Sequence, residues 1–318
     1  MFFLLPMSCF QSEVETVEVE QAATEKEVKS TIKRTLVAPD NSQVKLPSQM
    51  ASEQPISEAL DWGAYPFLNT SEGVQSLQER FNVPDGYNRV EVLEGGFAHW
   101  LRGIPTLDRQ KVYSFRGEAV RNASAIAVVP MSVGRGDIQQ CADSILRLYS
   151  EYLWSKGAAD EWGIHFTSGD LSRWKNWKEG QRFKVQGNAV SRLDSGVFDD
   201  SYGQYQNWLH HAFVYAGTQS LHLDSNPVAL TDSIQPGDFF VSPGSPGHAV
   251  IVLDVATAPE RPPLALLGQG FMPAQEFHVL TDTGAHVHEH WFELPQEKGA
   301  YLLNPSYYAI PRDAVFRF

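Results

Sequence analysis

The sequence predicts an α+β domain in which a helix bearing a cysteine packs on an antiparallel sheet. Three observations carry that expectation. Residues 134–154, GRGDIQQCADSILRLYSEYLW, join a glycine-rich turn to an amphipathic run, with Ile138, Ile145, Leu148, Tyr152 and Leu153 on one side of a helix. SYGQYQNWLHHAFVYAGTQSL reads as a second amphipathic helix, with Tyr205, Leu209 and Phe213 inward and Gly217 as a C-cap. The last third is a series of short apolar runs, DFFVSP, GHAVIVLDVA, PLALLGQGF and EFHVL, separated by turn residues.

Taken in chain order, the first segment is MFFLLPMSC, a short apolar run closed by a small residue and Cys9. It reads as the remnant of a lipoprotein signal over residues 1–9, with Cys9 as the lipidated residue. The run has no basic segment before it and is too short to span a bilayer, which is consistent with a true start upstream of Met1. Residues 10–60 are polar, acidic and poor in large apolar groups, and read as a disordered tether. From residue 61 to 318 the composition is that of one globular domain. Within it, residues 71–81 read as a helix through Val74, Leu77 and Phe81, and YNRVEVLEG, KVYSFRGEAV and ASAIAVVPM read as strands.

The 318 residues carry 25 Lys plus Arg against 38 Asp plus Glu, a net charge of −13. That balance, with no basic cluster, excludes a phosphate-backbone binder, so no nucleic-acid partner is expected. Two cysteines make no disulfide framework, and Cys9 and Cys141 have unrelated settings. No phosphate-binding or dinucleotide loop is present, and no cofactor is implied.

Cys141 is the first candidate for chemistry. Asp137 reads as the N-cap, with Gln140 in the capping-box position, so Cys141 lies near the positive end of a helix. Cysteine pKa values fall at such ends, and a partly ionised thiolate is expected there. His248 opens an apolar strand after the loop SPGSPG. Centring the next hairpin between Ala258 and Pro259 pairs Val250 with Leu267 and His248 with Gln269. Gln269 then orients the imidazole that serves the thiol. Backbone amides at the helix start would hold an oxyanion, with Gln139 or Gln140 as added side-chain donors. Asp254, farther along the His248 strand, is too distant to serve as the third member.

The order of cysteine, histidine and a polar third residue resembles papain-like hydrolases, above all cell-wall relatives of the NlpC/P60 and CHAP type, in which a GD strand shortly precedes a GH strand. This resemblance implies a papain-like fold and a peptidase or amidase activity. A second likeness spans more of the chain. GRGDIQQCADSILRLYSEYLW, FTSGDLSRWKNW, YAGTQSL, GDFFVSPGSPGHAVIVLDVA and GQGFMPAQEFHVL resemble, in order, the bacterial family described as domain of unknown function 4846. It implies an envelope protein, often a lipoprotein, and brings no established activity.

Two further clusters bear weighing. Trp174 and Trp177, in RWKNW, suit a stacking wall in a substrate cleft, although their spacing also suits core packing. His286, His288 and His290 alternate along one strand and offer a metal-binding reading, against which an exposed edge strand is the simpler account. The leading expectation is a cysteine hydrolase of the cell envelope, lipid-anchored or secreted, acting on an amide bond in a peptide or peptidoglycan-like substrate. It meets the membrane only through its lipid anchor. The rivals are a non-catalytic binding module with a Trp-rich cleft and a metal-binding protein. Oligomeric state is left open.

Overall fold

The computed structural model describes residues 62–68, 73–187, 189–245, 247–303 and 309–318. Cys9 and the segments read as signal and tether lie outside them.

Among the described residues the dominant element is a twelve-stranded sheet with every pairing antiparallel. In chain order its strands begin with β1 (Val74–Ser76), β2 (Asn88–Arg89), β3 (Pro105–Leu107) and β4 (Ala125–Val128). Two hairpins outside the sheet follow, β5 (Gly163–His165) with β6 (Leu171–Arg173), and β7 (Gln181–Gln186) with β8 (Ala189–Asp194). The sheet resumes with β9 (Asn226–Pro227), β10 (Phe239–Ser242), β11 (His248–Thr257), β12 (Leu264–Gln269), β13 (His278–Leu280), β14 (Val287–His288) and β15 (Trp291–Glu293). A third hairpin, β16 (Tyr301–Leu303) with β17 (Ala309–Pro311), precedes the last sheet strand, β18 (Val315–Arg317). The helices are α1 (Leu77–Arg80), α2 (Phe97–Arg102), α3 (Cys141–Ser155), α4 (Trp174–Lys178), α5 (Tyr202–Phe213) and α6 (Thr218–Leu223).

This architecture overturns the papain-like expectation. The fold is an extended antiparallel sheet in the order β1-β3-β4-β13-β12-β11-β10-β18-β9, with six mostly short helices among the described residues. The sequence signal from α3 was real, but strand number cannot be read from one helix–strand constellation. Many of the sheet's strands are two or three residues long, below the length at which alternation becomes visible.

The β11–β12 hairpin is the spine of the sheet. β11 is buried from His248 to Ala256, so both its faces are covered and its sequence is a near-continuous apolar run. Ala249, Ile251 and Leu253 enter the larger core with Ala142, Ile145, Leu146 and Leu148 of α3. Val250 and Val252 enter a second core with Leu267, Phe292, Ile310 and Val315. A bulge between Val252 and Asp254 shifts the register, and Val255 thereby joins the second core. The observed pairs are Ile251↔Gly268 and Val252↔Leu267, two residues from the predicted alignment. An even offset preserves which residues share a face.

Other local expectations also change. The predicted helix over 71–81 is instead β1 followed by the single turn α1. Ser76 caps that turn: its hydroxyl accepts from Glu79 N and donates to the Glu79 carboxylate. KVYSFRGEAV forms isolated bridges rather than a strand, through Tyr113↔Ala119 and Ser114↔Gln275. Gly217 does not end a helix but stands at the N-cap of α6.

Candidate functional site

α3 begins at Cys141 itself, with Gln140 at the N-cap, three residues later than the Asp137 signal implied. Asp137 is used elsewhere: its carboxylate accepts from Ala274 N at 2.6 Å and from Gln140 Nε2 at 3.0 Å, tying the turn to the loop after β12. The capping role passes to Asp143, which accepts from Gln140 N at 3.0 Å. Cys141 is therefore the first helical residue. Its sulfur faces the backbone amides of Ala249, Ala142 and Cys141, each of which favours the anion.

The end of β12 passes directly against this helix start. A Cβ on Gly270 would meet Ser144 Oγ at 2.3 Å and Gln140 O at 2.9 Å, so only glycine fits there without a shift. Beside it, His248 and Gln269 are 1% and 2% exposed. His248 Nε2 lies 2.9 Å from Gln269 Oε1. Behind Gln269 stands His278, which sequence reasoning missed because its strand, β13, reads as core.

The polarity of this chain follows from its far end. A carbonyl oxygen only accepts, so His278 Nδ1 donates to Glu276 O at 2.9 Å, and the His278 lone pair sits on Nε2. Gln269 Nε2, 3.5 Å from that atom, is the donor facing it. Gln269 Oε1 is then turned to His248 and accepts from His248 Nε2–H. With Gln269 in this orientation, His248 carries its proton on Nε2 and its lone pair on Nδ1.

Both candidate groups are held neutral near pH 7. Burial, aided by the nearby Asp143 charge, pushes the Cys141 thiol up to about 11. That reverses the sequence expectation of a depressed cysteine pKa, because the thiol of a residue only 6% exposed loses more by desolvation than three amides return. Burial pushes the His248 imidazole down to about 4, against the opposing Gln269 hydrogen bond. Asp143, also buried, is pushed up to about 7.

Cys141 opens onto a cleft of about 380 Å³, lined also by Gln140, Asp143, Phe213, Thr218 and Gly247. Gly247, the neighbour of His248, has no room for a side chain, since a Cβ there would meet Thr218 Oγ1 at 2.5 Å. α6 thus holds the loop before β11 in place, and Thr218 Oγ1 accepts from Gly244 N at 3.2 Å.

Residues 77–314 match the model of the family described as domain of unknown function 4846. The chain belongs to that family. No curated protein and no solved structure matches it. The likeness of this domain-of-unknown-function 4846 protein to the NlpC/P60 and CHAP hydrolases finds no support in these comparisons.

The remaining predicted residues of the family member are placed as follows. Gln140 lines the cysteine cleft, but its amide nitrogen is engaged with Asp137. Gln139 is not in that cleft; its Oε1 accepts from Arg147 Nη1 at 2.7 Å on the far side of the turn. Trp174 and Trp177 are buried core residues and form no wall of the cleft. Trp174 packs on Tyr205 and Trp208, and Trp177 lies under Arg182. Asp254 is a buried structural anion, paired with Arg89 at 2.6 Å and Arg102 at 2.7 Å. The histidine triplet divides: His286 and His288 hold opposite oxygens of Glu293, whereas His290 turns to Thr281. Among the described residues no group of three or more candidate ligands is placed to hold a metal. Also among them, no helix is long and apolar enough to cross a membrane.

Proposed function

We propose that the protein is a cysteine-nucleophile hydrolase of the cell envelope, acting on an amide bond of a peptide or peptidoglycan-like substrate. One observation carries the reading: the His278–Gln269–His248 chain fixes an imidazole tautomer at the residue before Ala249, whose amide faces the Cys141 sulfur.

In this reading His248 Nδ1 takes the Cys141 Sγ proton as the sulfur attacks the amide carbon. The carbonyl oxygen becomes an oxyanion facing the amides at the start of α3. The imidazolium then gives its proton to the departing amine, leaving a thioester on Cys141. Water attacks the thioester as Nδ1 accepts its proton, and the acid leaves with the thiol restored. An amine in place of water gives acyl transfer through the same residues. Gln269 stays hydrogen-bonded to Nε2–H throughout and keeps the ring oriented. A lipid anchor at Cys9 belongs to the same proposal.

The buried placement of Trp174 and Trp177 removes the feature on which a Trp-rich binding cleft rested, and hydrolysis is therefore preferred to the binding-module reading. The test is an acyl-enzyme trap. The full chain is incubated with peptides carrying an activated acyl group, acid-quenched and weighed by intact-mass spectrometry. A thioester adduct on Cys141 that is absent in Cys141→Ala and strongly reduced in His248→Ala is the expected result. Equal adduct in wild type and Cys141→Ala overturns the reading.

A further inference from the structure

On the other side of the 137–141 turn lies a separate cavity of about 330 Å³, lined by Arg135, Gln139, Arg147, Asn207, His210 and Phe213 among others. Phe213 also lines the cysteine cleft. Gln139 is 4% exposed, and its Nε2 has no hydrogen-bond partner among the described residues. An amide flip does not cure this, because Arg147 Nη1 donates to Oε1 at 2.7 Å and fixes the orientation. A buried donor left unmade is costly, so such a group calls for an acceptor.

The charge of the cavity says which acceptor. No Asp or Glu is among its lining residues, whereas Asp137 and Asp143 line the cysteine cleft. Arg147 is already compensated by Glu151 at 3.2 Å, and that carboxylate also takes the Tyr202 hydroxyl. Arg135 has no ion pair among the described residues. The cavity therefore has one uncompensated guanidinium and one orphan amide donor, which suits a monoanion better than a dianionic phosphate.

We propose that this cavity is a carboxylate subsite, seating a free carboxylate of the peptide whose amide bond lies at Cys141. The assignment of the peptide rests on the proposed hydrolase; the binding of a carboxylate does not. Phe213 lines both the cavity and the cysteine cleft, so the two adjoin at that side chain.

The test uses the full chain carrying Cys141→Ala, which binds without turnover, titrated calorimetrically with N-acetylglycylglycine, its C-terminal amide, and inorganic phosphate. The acid is expected to bind at least about tenfold more tightly than the amide, as one charge-assisted hydrogen bond requires. Arg135→Ala, at an exposed position, is expected to remove most of that difference. Gln139→Glu keeps the acceptor for Arg147, replaces the orphan donor by an anion, and is expected to abolish binding of the acid. Equal affinity for acid and amide, or indifference to both substitutions, overturns the proposal; tighter binding of phosphate overturns the monoanion assignment. Carboxylate binding without any acyl-enzyme in the wild type would sink the hydrolase reading alone. Acyl-enzyme formation without carboxylate discrimination would sink only the subsite.

Discussion

His248 Nε2 and Gln269 Oε1 meet at 2.9 Å although the two residues are not directly opposed. Continuing the register past Ile251↔Gly268 sets Gln269 opposite Val250, with His248 one diagonal step away on the same face. The long amide side chain closes that diagonal, and its nitrogen end reaches His278 across β13.

That geometry makes Gln269 a positioning residue with a titration signature. Gln269→Glu places a carboxylate against Nε2–H, which favours the imidazolium, so the His248 midpoint is expected to rise from about 4. Gln269→Leu leaves two buried imidazole nitrogens without their partner and is expected to destabilise the fold by about 1–3 kcal/mol. In the acyl-enzyme assay Gln269→Leu should lower the acylation rate with little change in substrate affinity. Ring-proton NMR across pH 3–8 checks the first expectation, and an unmoved midpoint in Gln269→Glu would falsify the assigned tautomer chain.

A thiol held up at about 11 is unreactive toward a simple alkylating agent at neutral pH. Iodoacetamide labelling of native Cys141 is expected to be slow at pH 7 and to rise close to tenfold per pH unit up to pH 9, with no plateau. A preformed thiolate–imidazolium pair would instead label quickly and level off below pH 7. Asp143→Asn removes the charge that helps raise the thiol, so labelling at pH 8 should be faster in that variant. Rates by intact-mass spectrometry decide between these outcomes.

Asp143 also links stability to pH. Its carboxyl is pushed from 3.8 to about 7 by burial, so the folded state binds the proton more tightly than the unfolded chain. That contribution is fully present below the unfolded pKa and is lost as pH rises through the folded one. His248, pushed from 6.5 down to about 4, has the opposite sign: its contribution is present above 6.5 and lost as pH falls toward 4. Relative to wild type, Asp143→Asn should therefore gain stability as pH rises from 4 to 7, by up to about 4 kcal/mol at about 1.4 kcal/mol per pKa unit. Urea unfolding at pH 4, 5.5 and 7 measures the difference, and a difference that does not vary with pH would count against a buried, proton-binding Asp143.

What the sequence disclosed depended on length and chemistry. α3, α5, β11 and β12 were legible because each repeats its period several times or is a long apolar run, and β10 and β13 because they sit in short apolar runs bounded by turn residues. The flanking strands β1, β2, β3 and β9 were not, since two or three paired residues carry no period; tertiary pairing alone makes them strands. His248 and Gln269 were found together because an error of two residues in hairpin register keeps parity. The start of α3 was misplaced because Asp137 has the chemistry of a cap and spends it on Ala274. Nor was the burial of Cys141 foreseeable from a helix-start signal, and burial is what sets its pKa.

The closest packing around the site supplies the last prediction. Gly270 lies where the end of β12 meets the first turn of α3, and an added Cβ meets both a side chain and a backbone oxygen. The Ser144 hydroxyl cannot swing away without loss, since it donates to Gln140 O at 2.7 Å. Gly270→Ala is therefore expected to push the helix start away from the strand ends and to destabilise the protein by about 1–3 kcal/mol, the usual range for overpacking. Adding Ser144→Gly removes the contact at 2.3 Å but leaves the Gln140 oxygen at 2.9 Å, so the double variant should recover only part of the loss. Under the proposed mechanism, acylation should fall further than stability accounts for, because the shift moves Cys141 relative to His248. Thermal unfolding of the two variants and of Ser144→Gly, read beside their acylation rates, separates the effects. A Gly270→Ala protein with unchanged stability would show that β12 and α3 do not approach this closely.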